Sequence, residues 1–525
     1  MLIRRLVYII LILVILFIAL STVCVADDGS TTWPRSLWPI VLSWLAPIGL
    51  GLLACGAVPP VRATAVVRVG WLAVGIATIS YWLYGFAFQF GGVGFFLDHP
   101  ELAGLVRKWM WIPPGMAWGG GGVIGLEGML LHGAASTPTA MLLFFAQLPW
   151  LTTAIAIPLW SLQGRTGPVA LLLIGILSAT IYAVLGGWTW GGGWLTALPL
   201  GHGFVDFWGV GAVHLAGAAS ALAGMLAFGV RSWRPRTVTV DDLADGEATF
   251  VPMPPLHLPI LATLGTWLCA LGWIGWGLST PLMLASAPRV STIEMMIGLW
   301  LAVSGGALAA GAFSWLTTGR ANTLMVSRGV LGALIAAGAG VPFMPFWSAL
   351  VVGAVAGLLA PLVHYAVEQW LRLDDPTAVI AAHGVPAVWG LLAVGLFADG
   401  RAGQGWNHVG ASAYRGVAGQ GVTGYWAATG YSGDWPAQFQ SQMVGVAAIA
   451  LAAFFLSWLL FAAIQVSSKA WSGGYAIRLP KAAPANADSG PKPARLRRLW
   501  AGLKALFRRR AVPPPEDREP ESDGR

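Results

Sequence analysis

Long apolar runs alternate with polar connections along most of the chain. Read against the roughly 20 residues that cross a bilayer, they predict eleven helices, over 38–58, 64–88, 137–161, 168–188, 206–230, 257–280, 291–317, 326–345, 347–370, 377–397 and 439–466. An earlier run, Leu6 to Leu20, follows Arg4 and Arg5 and precedes Asp27 and Asp28, which is signal-peptide layout, with Cys24 and Ala26 at the small positions before a cut. The alternative is an uncleaved first helix. The Trp- and Gly-rich stretch 109–133 reads as loop within the long connection 89–136. After Ser467 the pattern changes to Lys, Arg, Pro, Ala and Asp, a composition that does not build a core. Within that tail, Leu496, Leu499, Leu503, Leu506 and Phe507 stand at helical spacing among Arg497, Arg498, Lys504 and Arg508 to Arg510. Such a stretch suits an anionic cytoplasmic leaflet, or is simply a solvated basic tail. The chain thus divides into a signal peptide (1–26), a transmembrane domain (27–466) and a basic cytoplasmic tail (467–525).

Composition agrees. With 57% hydrophobic residues, 10% charged residues and a mean hydropathy of +0.71, the chain cannot cover a water-soluble surface. Its 69 glycines fit membrane helices whose backbones approach closely. The net charge of +8 resides largely in the tail and is no argument for nucleic acid. Basic residues test the orientation, because they favour the cytoplasmic side of short loops. With the N-terminus outside, the inner loops carry Arg62, Arg165, Arg231, Arg234, Arg236, Arg320, Arg328 and Arg372, with Arg68 near a helix end. The outer loops carry Arg107, Lys108, Arg289, Arg401 and Arg415, and include the two longest connections, 89–136 and 398–438. The bias favours a multi-pass protein of the inner (plasma) membrane with a cytoplasmic C-terminus.

Ionisable groups at membrane depth mark pathways or proton relays, because they are costly there. His99, His132, His202, His257 and His408 fall in connections or at helix ends, and His364 lies close to the cytoplasmic end of its helix beside Tyr365 and Glu368. His214 and His383 stand inside apolar helices among small residues, with no acid or metal ligand at helical spacing. An isolated intramembrane histidine is ordinarily a packing residue, so a joint role for two needs a further reason. Cys55 and Cys269 lie inside apolar runs and suggest no disulfide or metal site. No nucleophile–base arrangement, phosphate-cradling glycine loop or metal cluster is seen, so neither an enzyme nor a cofactor is expected.

The stretch WGGGWLTALPLGHGFVDFWGVGAVHLAGAASALAG, Trp190 to Gly224, resembles the signature of the ammonium transporter (Amt/Rh) family, with Asp206 eight residues before His214. HLPILATLGTWLCALGWIGWGLSTPL resembles the family's sixth helix. DDPTAVIAAHGVPAVWGLLAVGLFADG resembles its tenth, with His383 nine residues after Asp374 of the pair Asp374-Asp375. The similarity spans roughly residues 40–466. It implies an all-α membrane protein with eleven transmembrane helices in an inverted five-plus-five repeat, preceded by a signal peptide and assembled as a homotrimer. It also implies a channel that deprotonates ammonium at an outer site and passes ammonia along a pore with the twin histidines His214 and His383. Trp190 and Asp206, with Thr280 or Ser279, would recruit ammonium, and Trp150 and Trp276 would stand at the gate. Both gate positions carry phenylalanine in the family, and its acidic residue five positions before the second histidine is Ala378 here. Those departures keep two alternatives open: an ammonium sensor with little or no conduction, and an Rh-like gas channel. A cytoplasmic nitrogen-status regulator would dock on Arg231 to Pro254 and the tail.

Overall fold

A computed structural model describes residues 33–58, 60–110, 121–229, 257–283 and 290–471. The expected signal peptide, the segment Arg231 to Pro254 and the amphipathic tail stretch lie outside these residues. Ten helices are long and apolar enough to cross a membrane: α1 (Leu37–Gly56), α2 (Ala63–Phe95), α3 (Pro138–Leu162), α4 (Pro168–Thr189), α5 (Val210–Phe228), α6 (Pro259–Ser279), α7 (Thr292–Thr318), α9 (Phe346–Trp370), α10 (Val379–Phe397) and α11 (Ala437–Ser467). A shorter apolar helix, α8 (Thr323–Gly338), completes the eleven among the described residues. The chain is a multi-pass, mostly helical membrane protein. Its strands are two-residue antiparallel ladders, β1 (Lys108–Trp109) with β2 (Ile124–Gly125) and β3 (Ala413–Tyr414) with β4 (Val417–Ala418).

Local chemistry sets several helix starts. Thr137 accepts from the Ala140 amide at 3.3 Å just ahead of Pro138, whose missing N–H costs nothing in a first turn. Ser291 and Asn322 cap α7 and α8 in the same way, accepting from Glu294 and Met325. Apolarity marks ends less well. The eighth helix, expected over 326–345, stops at Gly338, and a 3-10 turn, Val341–Phe343, takes up the rest of the run around Pro342. Arg328, read from the sequence as a loop charge, therefore lies in the second turn of α8 and is only 8% exposed. The fifth helix, expected from 206, begins at Val210 because Gly209 adopts φ +70.

Helix packing rests on close backbone approach, since lipid tails are as apolar as the side chains and burial alone drives little association. Where α1 crosses α6, a Cβ on Gly49 would come within 2.4 Å of the Gly265 carbonyl oxygen, and one on Gly265 within 2.5 Å of the Gly49 oxygen. Helices α7 and α9 meet similarly, with a Cβ on Gly353 only 2.0 Å from the Ala302 oxygen. These crossings hold a bundle whose centre is formed by α3, α5, α6, α8 and α10.

Candidate functional site

Two short segments with the same backbone plan build the site. Asp206 accepts the Val210 amide at 2.7 Å through Oδ1 and the Gly211 amide at 2.8 Å through Oδ2. Asp375 accepts the Val379 amide at 2.9 Å and the Ile380 amide at 3.0 Å, again one on each oxygen. Each aspartate thus caps a helix start whose free N–H groups would otherwise be buried without partners. Three residues after each aspartate comes a left-handed residue, Gly209 at φ +70 and Ala378 at φ +53. A π turn follows in each, Val210–Leu215 and Val379–Gly384, with the histidine as its fifth residue. Both histidines therefore stand eight residues after their capping aspartate. Asp375 is thus the capping member of the pair, while Asp374 forms an ion pair with Arg165 at 3.4 Å.

The two π turns bring His214 and His383 together. Their Nδ1 atoms are 3.0 Å apart and the rings lie 28° from parallel, with centroids 5.2 Å apart. His214 is fully buried and His383 only 6% exposed. In a contact between two Nδ1 atoms, one imidazole donates and the other accepts. The donor keeps a bare Nε2 and the acceptor carries its proton on Nε2, so the pair offers one lone pair and one N–H to whatever lies beyond it. His214 Nε2 has no hydrogen-bond partner among the described residues.

Tryptophans cover the His214 side. Trp273 stacks on its ring at 5.4 Å and 17°, and Trp276 lies at 6.2 Å. Trp276 in turn meets Trp150 at 5.2 Å, and Trp150 meets Trp190 edge-on at 5.2 Å. The Trp190 indole donates to the Asp206 carbonyl oxygen at 3.0 Å, and its ring is 5% exposed, which excludes a lipid-facing anchor. The expected positions Trp190, Trp150, Trp276 and His214 thus form a continuous line. Trp273 was not anticipated, although its i, i+3 spacing from Trp276 places both on one helix face. Ser279 is buried and donates to the Trp276 carbonyl of its own helix at 3.0 Å. Thr280 occupies the next helical position, and its side chain lies outside the described residues.

Beyond His383 lies a cavity of about 20 Å³ lined by Leu53, Ile157, Trp160, Arg328, Thr377 and His383, among others. On the other side, the last helix holds the approach to Asp206. Gln438 accepts the His202 amide at 2.8 Å and donates to the Gly203 oxygen at 3.0 Å. Gln442 accepts the Val205 amide at 2.9 Å and donates to the Val205 and Leu391 oxygens at 2.9 and 2.8 Å. His202, assigned from the sequence to the interface, is fully buried against the Tyr414 ring at 4.3 Å. Burial pushes its pKa down from 6.5 to about 4, partly opposed by Asp434. Cys55 and Cys269 are buried free thiols, and among the described residues no group of three or more His, Cys, Asp or Glu could hold a metal ion.

A family model described as the Ammonium Transporter Family matches residues 37–470. An ammonium transporter, Amt2 of Archaeoglobus fulgidus, is 34% identical over 289 residues, 54% of this chain and 59% of that protein. A putative ammonium transporter of Synechocystis, sll1017, is 29% identical over 326 residues, 61% of this chain and 65% of that protein. The chain therefore matches less than two thirds of the length of either relative. A solved structure named Sensor Amt Protein superposes with a TM-score of 0.60 at 23% identity, covering 82% of this chain and 93% of that one. With the family model spanning all eleven helices and both histidine segments, this chain belongs to the ammonium transporter family.

Proposed function

We propose that the protein carries ammonium or ammonia across the membrane along the line from Trp190 through Trp150 and Trp276 to His214 and His383. The observation that carries this reading is the 3.0 Å contact between two buried imidazoles supplied by different helices. An ammonium ion stripped of water in an apolar interior bears a heavy desolvation penalty, and neutral ammonia does not. A path that requires the proton to leave first raises the barrier to potassium, which has none to give. The histidine pair supplies one lone pair and one N–H, matching the N–H and lone pair of ammonia, and can relay a proton between its rings. Trp190 and Asp206 serve recruitment, the indole through its electron-rich face and the carboxylate through its charge. Thr280 or Ser279 supplies the recruiting hydroxyl, accepting from the cation through an oxygen lone pair. The repeated aspartate, left-handed residue and π turn favour an inverted five-plus-five repeat. We place the protein in the plasma membrane as a homotrimer, N-terminus outside and C-terminus cytoplasmic, open to a cytoplasmic regulator.

One observation favours a second reading. Trp150 and Trp276 are in ring contact between Trp190 and His214, and both are fully buried. If that contact does not open, the protein binds ammonium and conducts little, as a sensor would. Ammonium-evoked current and internal pH change in proteoliposomes separate the two, with potassium as control and His214→Ala and His383→Ala as variants. Selective flux that both variants abolish or reshape supports transport. Measurable ammonium binding without flux in the intact protein rejects transport in favour of sensing.

A further inference from the structure

We propose that Arg328 is a selectivity residue for the far side of the path, holding a neutral ammonia molecule beyond His383 and turning cations away. This rests on the transport reading above. Arg328 projects from the second turn of α8, and its Nη2 donates to the Pro376 carbonyl oxygen at 2.5 Å. Its Nε is buried without a hydrogen-bond partner, as is the hydroxyl of Thr377 next to that carbonyl. Both side chains line the 20 Å³ cavity that His383 also borders. A cavity of that size admits about one water-sized molecule. An intramembrane arginine in contact with a pathway is by default a functional group.

The chemistry decides what the cavity takes. A guanidinium only donates, and it remains charged in proteins. Ammonia can accept the Nε–H through its lone pair while giving an N–H to the Thr377 oxygen. Ammonium has no lone pair and would bring a second positive charge beside the first. Potassium meets the same repulsion. Asp375 and Glu368 act on Arg328 through space and account for a tolerated buried charge. Asp375 is committed to the amides of Val379 and Ile380, and Glu368 lies 3.8 Å from His364. The positive charge thus faces the cavity, a barrier of the kind that a single arginine supplies in other selective pores.

The test uses the full-length protein in proteoliposomes, with ammonium and potassium as separate probes. Arg328→Gln removes the charge and keeps a donor, and Thr377→Asp opposes the charge while leaving Arg328 in place. Both are expected to admit potassium current at least about tenfold above that of the intact protein. Arg328→Lys, which keeps the charge, and Thr377→Val, which adds none, are expected to stay potassium-tight. Thr377→Asp keeps the test decisive if Arg328→Gln is not recovered folded. Ammonium flux in the intact protein with no gain of potassium current in the recovered charge variants overturns this inference alone. Arg328→Lys leaking as much as Arg328→Gln also overturns it, since Arg328 would then be only a strut to Pro376. Absence of ammonium flux in the intact protein overturns the transport reading and this inference with it.

Discussion

The segment from Asp206 to His214 and the segment from Asp375 to His383 share a backbone and differ in their surroundings. Each has a carboxylate holding two amides, a left-handed residue three positions on, a π turn and a histidine at its fifth position. Around the first stand four tryptophans, Trp150, Trp190, Trp273 and Trp276. Around the second lies a small cavity carrying the Arg328 guanidinium and the Thr377 hydroxyl. The repeated part is what positions an imidazole, and it tolerates little change because every buried N–H in it must be met. The part that differs is what a molecule on the proposed path would meet. One end offers electron-rich ring faces, which attract cations, and the other a fixed positive charge. A line with opposite electrostatic ends is not symmetric for a cation, even though its centre nearly is.

The largest effects should come from breaking the shared part. Asp206→Ala and Asp375→Ala each leave two buried amides without an acceptor, at about 1–3 kcal/mol apiece. Thermal unfolding in detergent should register a loss of about 2–6 kcal/mol for either variant. A variant that unfolds like the intact protein would break the equivalence of the two caps. The left-handed residues sharpen the contrast. A Cβ on Gly209 would sit 2.6 Å from Trp190 Cη2 and 2.8 Å from Trp150 Cε3, in a conformation that already disfavours one. Gly209→Ala should cost about 2–4 kcal/mol and disturb the tryptophan line. Ala378 tolerates its Cβ in the same conformation, so Ala378→Gly should relieve strain and stabilise by about 1 kcal/mol or less. Opposite signs in the two swaps are the expected result, and a destabilising Ala378→Gly would count against strain at that position.

A separate effect, confined to acid pH, concerns a residue without a counterpart. His202 stands four residues before Asp206, where the second segment has Leu371. Its folded pKa is about 4, against 6.5 for an unperturbed group, so the unfolded chain takes up the proton first as pH falls. Stability from this residue is complete above about 6.5 and declines as pH drops toward about 4. The loss is on the order of 3 kcal/mol. His202→Phe, which keeps a ring against Tyr414, should flatten that part of the stability–pH curve. Equal slopes for variant and parent would remove His202 as the source.

The helices were legible because membrane spans announce themselves by length and apolarity. The end of α8 was not, because Gly340, Val341, Pro342 and Phe343 continue the apolar run past the point where the helix stops at Gly338. His214 and His383 stood out as single polar residues among small apolar ones. Which of Asp374 and Asp375 caps α10 could not be told from composition. The choice depends on which carboxylate faces the free amides and which faces Arg165. Arg328 was hidden for a related reason: a basic residue near the end of an apolar run reads as a loop charge. Only the helix start at Thr323 reveals that it has turned into the bundle.

The side chains of Gln438 and Gln442 reach across more than two hundred residues to hold the backbone from His202 to Val205. During synthesis the ribosome delivers that backbone long before it delivers α11. Until the final helix inserts, these polar groups await their partners in a bundle that already has the other ten. An apolar environment penalises them for as long as they wait. Insertion of α11 thereby completes the hydrogen bonding of the approach to Asp206, and a product truncated before α11 would leave those backbone groups unmet.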